Sequence, residues 1–346
     1  MAQYRRRGGK RKGSGGFGVL FGFLLVAMGA ASGLAWLVLT PYGPDTETFV
    51  NVPPGSSVAA IGRMLESAGI VRTRFEFDLL RWVQRRPLQA GMYRFSQPEP
   101  ATEVYARIAR GDVYTRALTV PEGANIFDIA TRVEQAGLGT RQEFLDAAVS
   151  QTALVSDLDP GAKSLEGYLF PDTYRFSPTV TATQIVTAMV RRFRKAAEEL
   201  GLKDDVRQVV TMASLIERET AVASERPLVA SVFENRLAKG MPLRTDPAVI
   251  YGLELAGRWR GVIHESDLTF NTPYNTYLHA GLPPGPVANP GMASLRAAMD
   301  PAKTNYLYFV AAGVNAQGRS LFAATLDEHN RNVASYRIAQ KKAGER

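Results

Sequence analysis

An α+β fold hung from a single N-terminal membrane helix is what the sequence predicts. Three observations predict it: an uncharged apolar run near the start, a strand–turn–helix unit that occurs twice, and a downstream succession of amphipathic helical patterns with few extended segments between them. At 346 residues the chain has room for two or three domains. Its 45% hydrophobic and 21% charged residues are the balance of a chain that buries a sizeable core.

The net charge of +8 is concentrated at one end. Residues 1–16 hold Arg5, Arg6, Arg7, Lys10, Arg11 and Lys12 and no acid, and without these six the rest carries 35 basic against 33 acidic residues. A near-neutral body has no basic face for a phosphate backbone, so nucleic acid is excluded as a partner. The absence of cysteine excludes disulfides, thiolate metal sites, cysteine nucleophiles and an acylated-cysteine anchor. The three histidines, His264, His279 and His329, lie too far apart for a metal motif, and neither metal nor cofactor is expected.

Residues 17–39 form a 23-residue run without a charge, and about 20 residues span a bilayer core. Trp36 and Tyr42 stand near its far end, where interfacial aromatics are favoured. The basic cluster precedes the run. The positive-inside rule then places the N-terminus in the cytoplasm and the chain beyond residue 41 outside, as an uncleaved single-pass anchor. Residues 40–48, rich in breakers, read as a linker.

The repeat follows. Val52–Ile70 and Val120–Leu138 match at a constant offset of 68, each a strand, a Pro- and Gly-containing turn, and a helix with Ile61 and Leu65, or Ile129 and Val133, on one face. Each helix stops at Ala-Gly, where glycine suits the position after the C-cap. Two copies are too few for a solenoid, so small α/β modules are expected. The unit resembles the LysM module, which implies binding of N-acetylglucosamine-containing glycans; a packing module that sets the distance to the membrane is the alternative. Further helices are expected over 75–83, 101–110 and 183–200, and a strand over 90–95. The aromatic stretch Leu165–Phe176 suits either a sugar-stacking wall or ordinary core.

The next helix, capped by Asp204 or Asp205, ends in Glu217 and Glu219. At 100° per residue Glu217 falls inside the apolar arc, and Glu219 at its edge between Met212 and Gln208. The two acids point about 200° apart. That argues against the paired carboxylates of most glycosidases. A single acid beside apolar residues has a raised pKa and can serve as acid and then base. Periodicity makes Glu217 the more buried and Glu219 the more accessible.

The segments Met212–Arg226, Val232–Leu237, Thr245–Gly252, Asn271–Tyr277, Gly281–Pro286, Ala302–Val310 and Glu328–Asn330, in this order, closely resemble the endolytic murein transglycosylase family (MltG, YceG-like). The resemblance implies a basic tail (1–16), a transmembrane helix (17–39), a linker (40–48), a LysM-like module (49–115) and a lysozyme-like catalytic domain (116–346, in which 116–180 hold the second LysM-like copy and a connecting segment). It implies a lyase that cuts the β-1,4 bond between N-acetylmuramic acid and N-acetylglucosamine, leaving 1,6-anhydro ends, at the bacterial inner membrane. Peptidoglycan strands are the implied partner, with glycan synthases and elongation or division proteins beside them. Lytic transglycosylases carry Glu followed by Ser or Thr, which Glu219-Thr220 matches and Glu217-Arg218 does not; Glu217 is the second choice. Tyr274 and Asn275 resemble a substrate-lining Tyr-Asn pair. Asp246 suits either a sugar contact or a helix cap, and Gln208 is a further candidate. Asn235 and Arg236 read as a local hydrogen-bonding pair, and the C-terminal hairpin and helix as structural.

Overall fold

The computed structural model describes residues 15–313 and 318–344; the basic cluster of residues 5–12 lies outside them. The chain divides into two compact units, the first up to Thr115 and the second from Arg116.

In the first unit α1 (Gly15–Leu39) carries no charge, and its Val19–Leu39 portion is long and apolar enough to cross a membrane. Then come β1 (Thr48–Val52), α2 (Val58–Ser67), α3 (Arg74–Gln84), β2 (Gly91–Phe95) and α4 (Ala101–Arg110). β1 and β2 pair antiparallel, Thr48 opposite Phe95 and Val52 opposite Gly91. The alternation along both strands turns Val50, Val52, Tyr93 and Phe95 inward, against Leu65, Phe77 and Ile108 of the helices. Residues 40–47 are tied down: Tyr42 and Glu99 exchange backbone hydrogen bonds of 3.1 Å.

The second unit contains β3 (Arg116–Thr119), α5 (Ile126–Gln135), α6 (Arg141–Ser150), β4 (Thr173–Phe176), α7 (Ala182–Leu200), α8 (Val206–Glu219), α9 (Arg226–Ala238), α10 (Asp246–Leu255), the short α11 (Glu265–Leu268), α12 (Met292–Met299), β5 (Tyr308–Ala311), β6 (Ser320–Ala323) and α13 (Leu326–Gly344). β3 pairs antiparallel with β4, and β5 with β6. The fold is therefore helical with three two-stranded sheets among the described residues.

The two repeats form as local chemistry demands. Ser57 accepts from the Ala60 amide, and Asn125 from the Phe127 and Asp128 amides, so each α2/α5 helix starts on a capped turn. Gly69 and Gly137 adopt φ of 69° and 65°, which stops both helices. Ile70 and Leu138 then bond back to Leu65 and Val133 and bury their side chains.

Helix α8 lies between two cores. Val206, Val210 and Ala213 pack with α5, α6, α7 and the 165–170 segment; Met212, Leu215 and Ile216 pack with Val229, Phe233, Tyr251 and Val287. A helix gripped from both sides is buried nearly all round. Thr211 and Ser214 satisfy their hydroxyls internally: Thr211 donates to the Arg207 carbonyl, and Ser214 donates to that of Thr211 and accepts from the Val287 amide. Truncating Leu215 to Ala would cost about 2–5 kcal/mol. Asp205 occupies the N-cap position, but at φ 50° its side chain makes no cap bond, contrary to the capping role expected for it.

Candidate active site

The end of α8 presents two carboxylates to two different surroundings. Glu217 is enclosed, its side chain 4% exposed. One oxygen accepts from Arg226 Nη2 at 2.7 Å, and the other from the Gly291 amide at 2.9 Å. Arg226 also meets Glu122 at 3.4 Å. Arg218 turns away to donate to the Gly123 carbonyl, fastening the helix end to the turn of the second repeat.

The Glu219 carboxylate makes no hydrogen bond among the described residues and opens onto a cleft of about 250 Å³. Phe233 and Arg236 of α9, the 243–246 segment, Tyr277, Phe309 of β5 and His329 of α13 form its walls. Burial, and after it the negative charge of Asp246, push the Glu219 carboxyl up to about 7, while Arg236 and Arg218 pull the other way. An acid in this state is part protonated at neutral pH, available both to give and to take a proton. Asp246 heads α10 from its first position and accepts the Tyr277 hydroxyl at 2.7 Å.

The sequence matches the YceG-like family over residues 50–335. The chain belongs to that family. Over 323 residues it is 34% identical to a Bacillus subtilis protein named endolytic murein transglycosylase, covering 86% of this chain and 88% of that one. A Streptococcus pneumoniae protein of the same name is 30% identical over 333 residues, and there the match spans 60% of the longer relative. A solved YceG-like protein of Listeria monocytogenes aligns with a TM-score of 0.54 at 32% identity, covering 83% of this chain and 99% of that one.

In this YceG-like chain the other residues singled out from the sequence scatter. Gln208 shares the arc of Glu219 but lies eleven residues earlier, about 16 Å along the helix, and is exposed away from the cleft. Tyr274 packs on Tyr251 at 5.0 Å and lines a separate cavity of about 50 Å³ with Glu166, Arg207 and Pro286. Asn275 is fully buried: its amide donates to the Leu268 and Phe270 carbonyls, and its oxygen accepts from the Tyr277 amide. Those bonds hold the loop that carries Tyr277, so Asn275 shapes the cleft and does not line it. Asn235 and Arg236 are not a local pair. Asn235 donates to the Thr304 and Tyr306 carbonyls and Arg236 to that of Leu307, clamping the β5 segment over the cleft. The 165–170 residues are core, with Leu165, Tyr168 and Leu169 at 0% exposure; Glu166 and Tyr168 line the small cavity beside Tyr274 and none of the segment lines the Glu219 cleft.

Sequence reasoning gave no site role to several cleft residues, among them Phe309, His329, Arg244 and Tyr277. Phe309 and His329 come from a hairpin and helix read as structural. His329 stacks on Tyr308 at 5.1 Å, and its buried Nδ1 has no hydrogen-bond partner among the described residues. Arg244 sits at φ 55°, a strained setting for a residue with a Cβ, and its exposed side chain borders the cleft beside Asp246. Tyr277 closes the Asn271–Tyr277 segment, two residues past the Tyr274-Asn275 pair that was singled out. Arg244 stands immediately before Thr-Asp-Pro, and Tyr277, Phe309 and His329 lie inside segments that carry the family resemblance, so each was marked in the sequence without its role being readable there.

Proposed function

We propose that this protein is an endolytic lytic transglycosylase of peptidoglycan in which Glu219 is the catalytic acid and base. The observation that carries this reading is a lone, unbonded glutamate with a raised pKa at the end of a buried helix, facing an open cleft. Glu219 gives its proton to the oxygen that links N-acetylmuramic acid to N-acetylglucosamine, and the C1–O bond breaks. The glucosamine leaves with a free 4-hydroxyl. The resulting carboxylate takes the proton of the muramyl C6 hydroxyl as that oxygen bonds to C1, closing the 1,6-anhydro ring. No water enters. Asp246 and Tyr277 border the sugar path, and Arg236 holds positive charge beside the carboxylate formed midway. In this reading α1 anchors the enzyme in the bacterial inner membrane with its N-terminus cytoplasmic, and the second unit is a lysozyme-like catalytic domain outside. The first unit is a LysM-like module that grips nascent glycan or sets the height of the cut. Glycan synthases and elongation or division proteins are its proposed neighbours.

One observation favours a second reading. Asp246 faces the same cleft, so a glutamate–aspartate pair is available to hydrolyse the bond instead. Digestion of peptidoglycan followed by mass spectrometry of the new chain ends separates the two: anhydromuramic ends support the lyase, and reducing muramic ends the hydrolase. Binding without new ends would leave a non-catalytic glycan scaffold.

A further inference from the structure

Helix α3 leaves one side uncovered. At 100° per residue Phe75, Trp82 and Val83 share an arc of about 100°; Leu79, within that arc, is partly buried against the core of the unit. Phe75, Trp82 and Val83 are 62%, 73% and 63% exposed. The adjoining arc of Glu76, Phe77 and Leu80 is buried in the first unit, so the open face is additional to the one that holds the fold. Exposed aromatic residues clustered in this way mark an interaction surface.

Two further observations say with what. The segment 72–86 holds five arginines, Arg72, Arg74, Arg81, Arg85 and Arg86, against Glu76 and Asp78, and Glu76 is buried. Arg74 rests over the Phe75 ring at 5.0 Å. The helix also begins beside the end of α1. Arg72, two residues before α3, donates to the carbonyls of Leu37, Thr40 and Pro41 at 3.3, 3.2 and 3.1 Å, and lies over the rings of Trp36 and Tyr42. Val38 of the last α1 turn packs into the core of the unit. The unit is thus clasped to the point where α1 would leave the bilayer.

We propose that α3 is an interfacial helix: its Phe75–Trp82–Val83 face rests in the headgroup layer of the membrane that α1 crosses, with Arg74, Arg85 and Arg86 against the phosphates of anionic phospholipid. This rests on the reading of α1 as a membrane anchor. Aromatic rings favour that layer, arginine stems reach back to phosphate, and an anionic surface adds attraction that salt screens.

The test uses the full chain with Trp36→Phe and Trp259→Phe, so that Trp82 is the only tryptophan, reconstituted into phosphatidylcholine vesicles with and without phosphatidylglycerol. Resistance to alkaline extraction reports the anchor independently. The proposal expects an extraction-resistant chain whose Trp82 emission is blue-shifted, quenched by phospholipids brominated near the top of the acyl chain and shielded from iodide, with the effect reduced by omitting phosphatidylglycerol or by Arg85→Ser with Arg86→Ser. An extraction-resistant chain with Trp82 open to iodide overturns it. So does shielding that follows protein density and not lipid type, which would mean a second copy covers the face. Release by alkali would overturn the anchor reading itself. If the tryptophan replacements impair folding, a nitroxide on Val83→Cys in this cysteine-free chain gives the same answer by its accessibility to oxygen against a water-soluble nickel complex.

Discussion

Glu217 and Glu219 are the same residue type, two positions apart at the end of one helix, and their surroundings differ in every respect that matters for chemistry. Around Glu217 both oxygens are bonded, a buried arginine neutralises the charge, and no space remains. Around Glu219 no donor is in place and a cleft is open. A bonded, charge-paired carboxylate holds structure together; an unbonded, desolvated one holds a proton. The 200° separation imposed by the helix is what allows both on one element.

The comparison breaks most directly at Glu219. Its replacement by Gln is expected to lower turnover on peptidoglycan by about 10²–10⁴-fold while leaving the fold intact. Because burial raises the folded pKa above the ordinary 4.5, this group loses stability for the protein as pH rises from 4.5 through about 7. The Glu219→Gln variant escapes that loss and should melt no lower than wild type at pH 8 in a calorimetric scan. Glu217→Gln should do the reverse. It leaves Arg226 short of its counter-charge at a cost of about 2–4 kcal/mol, read as a fall of roughly 5–10 °C in melting temperature. The soluble fraction should stay active within about tenfold. A Glu217→Gln variant that is stable but inactive would exchange the two roles. A finer test is Asp246→Asn. Removing the negative neighbour lowers the Glu219 pKa, so the alkaline limb of the rate profile should move to lower pH, with anhydro products retained. Complete loss of activity would favour the hydrolytic reading. The smallest effect is expected for Gln208→Ala, which lies far from the cleft and should change stability by no more than about 0.5 kcal/mol and leave product formation unaltered.

What could be read in advance was local. The two repeat helices and their stops at Gly69 and Gly137, the helices near 101–110 and 183–200, and the strand near 91–95 depend on neighbours within a few residues. The angular separation of the two glutamates followed from helical geometry alone. The walls of the cleft did not. Besides the nearby Pro242 and Leu243 carbonyls, Arg236 reaches that of Leu307 71 residues on, and Asn289 bonds Glu166 at a separation of 123, inside a network where burial pushes the Glu166 carboxyl up to about 8. Such pairings carry no periodicity. For the same reason Asn275 looked like a sugar ligand: a polar residue beside an aromatic is indistinguishable in sequence from one whose amide is consumed by its own loop.

The second repeat has a practical consequence. Its turn is built into the frame of the helix end: Gly123 donates to the Asn289 carbonyl and accepts from Arg218, Glu122 meets Arg226, and the Asn125 amide donates to Glu254. The matching turn of the first copy is exposed at Pro53, Pro54 and Gly55, and a Cβ added at Gly55 meets nothing within 4 Å. An affinity tag or fluorescent reporter spliced between Gly55 and Ser56 should therefore be carried without harm, whereas the same cargo after Gly123 would pry the helix end from its seat. Of two turns that share the Val-Pro-x-Gly pattern, one is a handle and the other a keystone.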